Sequence, residues 1–113
     1  RRGSFDVDMM LIKSIYILQK YGREDIDDRI PYILNQIIQR LDVERLYYEE
    51  PTIFFDLLTI VNSGSSYCVS EQMIRMVMWI VENKWKQLSI MEYRQICKFA
   101  EITNNNELRL LLQ

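Results

Sequence analysis

The sequence predicts an all-α fold built from repeated helix pairs, and three observations lead to this prediction. Apolar residues recur along the 113-residue chain at the three- and four-residue spacing of amphipathic helices. Capping residues and helix breakers divide these runs into about six segments. A shift of the chain by 43 residues also places the apolar positions of two successive helices on those of the next two. A duplicated helix pair explains this alignment, so we expect an array of stacked repeats.

The 43-residue offset pairs apolar residues in both helices and in the loop between them. The pairs are Leu11 with Phe54, Ile12 with Phe55, Ile15 with Leu58, Ile17 with Ile60, Leu18 with Val61, Ile26 with Val69, Ile30 with Met73, Ile33 with Met76, Leu34 with Val77, Ile37 with Ile80 and Ile38 with Val81. Because 49% of the residues are apolar, some pairs are coincidental, but an in-phase run over two helices favours duplication. We therefore expect Ile37 and Ile80 to occupy equivalent environments.

The first unit, over 7–41, is predicted to hold two helices. The first begins after a cap at Asp6 and ends at Gly22, which tolerates positive φ. Its buried stripe is expected to contain Leu11, Ile12, Ile15 and Leu18. In the second helix Pro31 must lie in the first turn, since a proline further in would remove a hydrogen bond. Residues 1–5 are expected to be flexible or a remnant of cloning.

The second unit, over 42–87, is predicted to begin with a short helix over 43–49, capped by Asp42. This helix ends before Pro51, because a residue that precedes proline is disfavoured in the α region. A helix over about 51–62 follows, and then a serine-rich loop. Ser70 is expected to cap a long helix that extends to about Gln87.

The third unit, over 88–113, opens with the clearest helix start in the chain. Ser89 and Glu92 have the spacing of a capping box, in which each side chain accepts a hydrogen bond from the backbone of the other residue. The run Asn104 to Asn106 interrupts the helix, and a last short helix is expected over 107–112. The three units together form one all-helical domain.

The repeat length and the order of one short and two longer helices resemble armadillo and HEAT repeats. The resemblance implies a fragment of a right-handed helical-repeat, armadillo/HEAT-like solenoid. The segment from Trp79 to Asn83 also resembles the W-x-x-x-N motif of importin-α-type armadillo repeats. In that family the Trp and Asn side chains project into a concave groove, where the Asn amide holds the backbone of an extended peptide. The resemblance implies that Trp79 and Asn83 are groove residues; 43 residues earlier stand Gln36 and Arg40.

Helical repeats are scaffolds for many partners, so the sequence predicts a protein-interaction module that acts as a scaffold or adaptor in complex assembly. We expect it to bind a peptide, a helix or another subunit on the faces of its repeat helices. The residues expected to contact the partner are Asn35, Gln36, Gln39, Arg40, Trp79 and Asn83.

Two alternatives remain open at this stage. The chain could be a structural segment of a larger solenoid or of a homo-oligomer that associates through its apolar C-terminal end, with Leu110 and Leu112 as contacts. It could also be a compact six-helix bundle of the kind found in death-fold or viral adaptor domains. In that case the 43-residue alignment would be accidental.

The residue types present disfavour an enzyme. The chain contains no histidine, which removes the usual general base near neutral pH and the commonest metal ligand. Cys68 and Cys97 lack the spacing of a metal site, and no glycine pattern matches a phosphate-binding loop. We expect no catalytic residues, no metal and no cofactor, and we expect Cys97 to lie in the core.

The composition also bears on partners and location. A net charge of −2 and a pI of about 5.2 make nucleic acid an unlikely partner. Two cysteines are too few for a disulfide framework, which favours an intracellular protein of the cytoplasm or nucleus. No apolar run approaches the roughly 20 residues that span a bilayer, so we expect no membrane association.

Overall fold

The chain forms seven α-helices and one 3₁₀ turn in the computed structural model, which describes residues 2–22, 29–63 and 70–113. The helices are α1 (Arg2–Lys20), α2 (Arg29–Gln39), α3 (Val43–Glu49), α4 (Pro51–Ser63), α5 (Glu71–Lys84), α6 (Ile90–Thr103) and α7 (Asn106–Leu111), and the 3₁₀ turn is Trp85–Gln87. These ranges contain no strand. The all-α prediction is confirmed, and the described ranges contain seven helices, the number predicted unit by unit, rather than the overall figure of about six.

The caps predicted at Asp42, Ser70 and Ser89 are confirmed, whereas the one predicted at Asp6 is wrong because Asp6 lies inside α1, which begins at Arg2. Each cap side chain accepts a backbone N–H at the start of its helix: Asp42 from Glu44 at 3.1 Å, Ser70 from Met73 at 3.2 Å and Ser89 from Glu92 at 3.1 Å. The backbone N–H of Ser89 in turn donates to the Glu92 carboxylate at 2.9 Å, which completes the capping box. The long fifth helix is shorter than predicted, because it ends at Lys84 and a 3₁₀ turn replaces its last turn.

Helix α1 starts earlier than predicted. The helix was expected to begin after Asp6, but α1 begins at Arg2 and Phe5 is buried. The guanidinium carbon of Arg45 lies 3.9 Å from the centre of the Phe5 ring. The physical reason is that Phe5 is in helical phase with Met9 and Ile12, so extending α1 towards its N-terminus buries one more large side chain.

The buried face of α1 also differs from the prediction. Ile12 and Ile15 are buried as expected, whereas Leu11 is 37% exposed and Leu18 is 39% exposed. The core side of α1 is instead completed by Phe5 and Met9. Apolar residues occur on several faces of α1, so periodicity does not determine which face packs on the rest of the protein.

Helix α4 lies at the centre of the packing, between α1 and α6, while α5 contacts α2 and α7. Phe54 and Leu58 of α4 are fully buried. The Lys13 ammonium donates to Asp56 across the α1–α4 contact at 3.0 Å, and the Asn62 amide donates to the Gln95 carbonyl across the α4–α6 contact at 3.0 Å. The radius of gyration is 13.6 Å, close to the value of about 13 Å that a compact chain of this length has.

The residue pairs of the 43-residue alignment are only partly equivalent in burial. Ile37 and Ile80 are both fully buried. Ile33, in contrast, is 40% exposed while its counterpart Met76 is 1% exposed. The pair of Ile26 and Val69 lies outside the described residues. The structure therefore supports a compact all-α globule, and the alignment alone does not establish a repeat.

Candidate partner-binding surface

Helix α3 places two adjacent tyrosines at the surface. Its one fully buried side chain is Leu46. Because successive helical residues point about 100° apart, Tyr47 is half-buried and Tyr48 is 62% exposed. Their rings meet edge to face, with centres 5.8 Å apart and planes at 81°. The outer side of α3 is therefore aromatic rather than only polar.

Trp79 of α5 joins the two tyrosines. It is half-buried, and its ring centre lies 6.3 Å from that of Tyr47 and 6.5 Å from that of Tyr48, with interplanar angles of 62° and 82°. We refer to Tyr47, Tyr48 and Trp79 as the aromatic cluster. Edge-to-face contacts at this spacing are favourable beyond the burial of area, so the rings hold one another in place across the contact between α3 and α5.

The ammonium of Lys84, the last residue of α5, lies over the two tyrosine rings of the aromatic cluster. Its nitrogen is 4.6 Å from the centre of the Tyr48 ring and 5.9 Å from that of the Tyr47 ring. Both distances are within the range of about 6 Å at which the negative face of a ring attracts a cation. The cluster therefore already holds a positive charge from its own chain.

Asn83 is exposed beside the aromatic cluster. Its side-chain amide donates to the backbone carbonyl of Trp79 at 2.9 Å, one turn earlier in α5. The two residues of the W-x-x-x-N motif are thus neighbours on one side of the helix. One amide N–H of Asn83 is used within the helix, and rotation of the exposed side chain would release it.

Arg40 makes an internal ion pair. Its Nε donates to Asp8 Oδ2 at 3.0 Å and its Nη2 donates to Asp8 Oδ1 at 2.6 Å. The side chain of Asp8 is 5% exposed and that of Arg40 is 52% exposed. The hydrogen bond to Asp8 raises the pKa of Arg40 above its ordinary value, so the guanidinium stays charged. In this structure Arg40 ties the end of α2 to α1.

The other three polar residues expected at the site have different surroundings. Gln36 is exposed and donates to the Tyr32 hydroxyl at 2.9 Å. Gln39 is exposed at the end of α2. Asn35 is half-buried, and its Oδ1 is buried without a hydrogen-bond partner in the part of the chain that the structure describes. The α2 residues therefore do not share the aromatic surroundings of Trp79 and Asn83.

Sequence reasoning did not assign Tyr47, Tyr48 or Lys84 to the site. The exposure of Tyr48 could have been predicted, because a short helix that buries Leu46 must turn one of the next two residues outward. No signal paired these tyrosines with Trp79, since the contact joins helices about thirty positions apart in sequence.

A second apolar surface lies at the end of α7. Leu110 is 68% exposed and Leu111 is 38% exposed, whereas Leu112 is half-buried and packs against the core. Beside them is a cavity of about 130 Å³, lined by Val81, Trp85, Leu88, Tyr93, Leu111, Leu112 and Gln113. Of the two predicted oligomer contacts, Leu110 is at the surface and Leu112 supports the fold.

Two further residues of α6 border this region. Tyr93 lines the cavity, and a hydrogen bond with Cys97 raises the pKa of its hydroxyl. Cys97 is an unpaired, half-buried thiol rather than the core residue that we expected. The difference arises because the buried row of α6 is formed by Ile96, Phe99 and Ala100, which places Cys97 at its margin.

Comparisons with protein families, with characterised proteins and with solved structures find no match to this chain. Within ranges 2–22, 29–63 and 70–113, no helix combines the length and apolar character needed to cross a lipid bilayer. Across the same described ranges, no three His, Cys, Asp or Glu side chains form a group that could hold a metal ion. The class of protein that the fold defines is therefore an all-α globule.

Proposed function

We propose that this chain is a protein-interaction module that captures a polypeptide segment on the aromatic cluster. The observation that carries the proposal is the arrangement of Tyr47, Tyr48 and Trp79, three rings in mutual contact with Tyr48 62% exposed. Tyr and Trp are the residues most enriched among those that dominate binding energy, because they supply large contact areas with few rotatable bonds. The exposed Asn83 beside them adds hydrogen-bonding groups for a peptide backbone.

We further propose that the helices form an armadillo/HEAT-like stack. Support comes from the contacts of α1 with α4 and α4 with α6 in one series, and of α2 with α5 and α5 with α7 in another. Equivalent helices of a solenoid lie next to each other in this way. Under this proposal Leu11 and Ile33 are more exposed than their counterparts Phe54 and Met76 because α1 and α2 form an end of the stack.

Selection from a displayed library of random peptides tests the interaction proposal. We expect peptides that bind the wild-type protein to lose about tenfold in affinity for Tyr48→Ala and more for Trp79→Ala, because each variant removes an aromatic anchor. Binding is measured by titration calorimetry with purified variants. Tyr48 is the primary position, since its 62% exposure makes loss of the fold on substitution a minor concern.

Tyr21→Ala is the matched control, because Tyr21 is 75% exposed at the end of α1. It should bind the selected peptides as the wild type does. If no peptide is enriched, or if the enriched peptides bind Tyr48→Ala and Trp79→Ala as tightly as the wild type, the aromatic cluster is not a binding surface. Asn83→Ala is measured with the same selected peptides. A loss of affinity in this variant would indicate that the Asn83 amide holds the peptide backbone, as the W-x-x-x-N resemblance implies.

A second candidate function is self-association through the end of α7, which the exposure of Leu110 and Leu111 favours. Leu110→Lys should convert an associated species to a monomer, because it places a charge where an apolar contact would form. Sedimentation equilibrium measures the mass. Wild-type protein that already sediments at 13.7 kDa at high concentration would contradict this function. Leu112 is left unchanged, since it packs on the core.

A further inference from the structure

We propose that the aromatic cluster is a binding site for an alkylammonium cation, and that Lys84 occupies it until a partner's lysine side chain, free or N-methylated, takes its place. This inference rests on the proposed function only in taking a bound polypeptide as the source of the cation. The binding of the cation itself can be tested without a polypeptide.

The geometry of the rings carries the first step. The three ring planes are steeply inclined to one another, at 81°, 62° and 82°, so they form a corner rather than a flat stack. The face of an aromatic ring is its negative region and the edge is its positive region. A cation at such a corner can face more than one ring, as the Lys84 ammonium does with Tyr48 at 4.6 Å and Tyr47 at 5.9 Å.

The second step concerns how firmly Lys84 is held. Lys84 makes no ion pair with a carboxylate in the described part of the chain. Its ammonium ends a flexible four-carbon stem, so it can leave the rings without moving the backbone of α5. The rings therefore hold Lys84 by a contact of the same kind that an incoming cation would make.

Charge near the cluster favours an incoming cation over an anion. Glu82 is exposed on α5, three residues after Trp79, and residues three apart are neighbours on a helix surface. Arg75, four residues before Trp79 on the same helix, is paired with Glu71 at 2.8 Å. Glu82 is therefore the charge that an incoming cation would meet on this side of α5.

The chemistry also ranks the possible cations. Recognition of methylated ammonium groups is the best-known use of aromatic cages, because such groups keep their charge while they carry more apolar surface. A trimethylated lysine should therefore bind better than the primary ammonium of Lys84, which keeps a stronger hydration shell.

The test uses Nα-acetyl-trimethyllysine amide as the ligand and the proton resonance of its N-methyl groups as the readout. Protons that lie over ring faces are shielded, so binding at the cluster moves this resonance upfield. We expect a saturable shift with wild-type protein and about fivefold tighter binding with Lys84→Ala or Lys84→Gln, because the competing cation is gone. Tyr48→Ala should abolish the shift, and Tyr21→Ala should leave it unchanged.

The matched control ligand is the neutral isostere in which a tert-butyl carbon replaces the quaternary nitrogen. We expect it to bind about tenfold more weakly, since it lacks the charge that the ring faces attract. Equal affinity for the two ligands would overturn the inference, because the cluster would then be only an apolar patch. The absence of a shift with both Lys84 variants, each verified as folded by circular dichroism, would overturn it as well.

The outcome separates this inference from the proposed function. In one outcome the selected peptides lose affinity for Tyr48→Ala, but the N-methyl resonance of the ligand does not move with either Lys84 variant. The proposed peptide-binding surface is then supported and the cation site is wrong. If the ligand binds in the expected order while no peptide is enriched, the cation site stands without a polypeptide partner.

Discussion

Phe54→Ala is expected to lower the free energy of unfolding by about 3–5 kcal/mol, the range for removing a buried aromatic side chain from a packed core. Phe54 is fully buried in α4, the helix that lies between α1 and α6. Its ring packs edge to face on that of Phe55, with centres 5.1 Å apart and planes at 88°. The loss combines the transfer free energy of the ring with the cavity left behind. Urea denaturation followed by far-ultraviolet circular dichroism measures it.

Leu11→Ala is the control, because Leu11 is the residue that the 43-residue offset pairs with Phe54. At 37% exposure, its truncation should cost about 1 kcal/mol or less, since much of the side chain is already in water. A similar loss of stability for the two variants would show that α1 buries the Leu11 face. The assignment of the α1 core to Phe5, Met9, Ile12 and Ile15 would then be wrong.

The sequence determines the helices of this fold well because their ends depend on local chemistry. Asp42, Ser70 and Ser89 accept backbone hydrogen bonds from residues two or three positions later, and such contacts can be read from spacing alone. The packing face of α1 was not predictable in this way. Leu18 and Ile12 are equally apolar, and only contacts with helices distant in sequence decide that Ile12 is buried and Leu18 is 39% exposed.

The candidate site also combines residues that local sequence identifies with residues that only tertiary contacts bring together. Trp79 and Asn83 could be singled out because they lie four residues apart on one helix and match a known spacing. The tyrosines of α3 and the ammonium of Lys84 join them only through the packing of α3 near α5. Arg40 was expected to contact a partner, and its use by Asp8 depends on an approach of α1 to α2 that no local pattern encodes.

The Asp8–Arg40 ion pair is expected to couple α1 to α2 with an energy of about 1.5–2 kcal/mol in a double-mutant cycle, in the lower part of the range for hydrogen bonds to charged groups. The carboxylate of Asp8 is nearly excluded from water, and it accepts two hydrogen bonds from one guanidinium. Solvent at the half-exposed Arg40 screens part of the attraction. The cycle combines Asp8→Ala, Arg40→Ala and the double variant, with stability measured by urea denaturation.

The control cycle uses Arg75 and Glu71, which form an ion pair of similar length, 2.8 Å, on α5 with side chains 67% and 77% exposed. We expect this pair to contribute less than about 0.5 kcal/mol and to weaken further in high salt, as exposed pairs one helical turn apart do. The coupling of Asp8 with Arg40 should persist in salt because burial of the carboxylate limits screening. Equal couplings for the two pairs would mean that water reaches Asp8, and α1 would then not be closed against α2 as the structure has it.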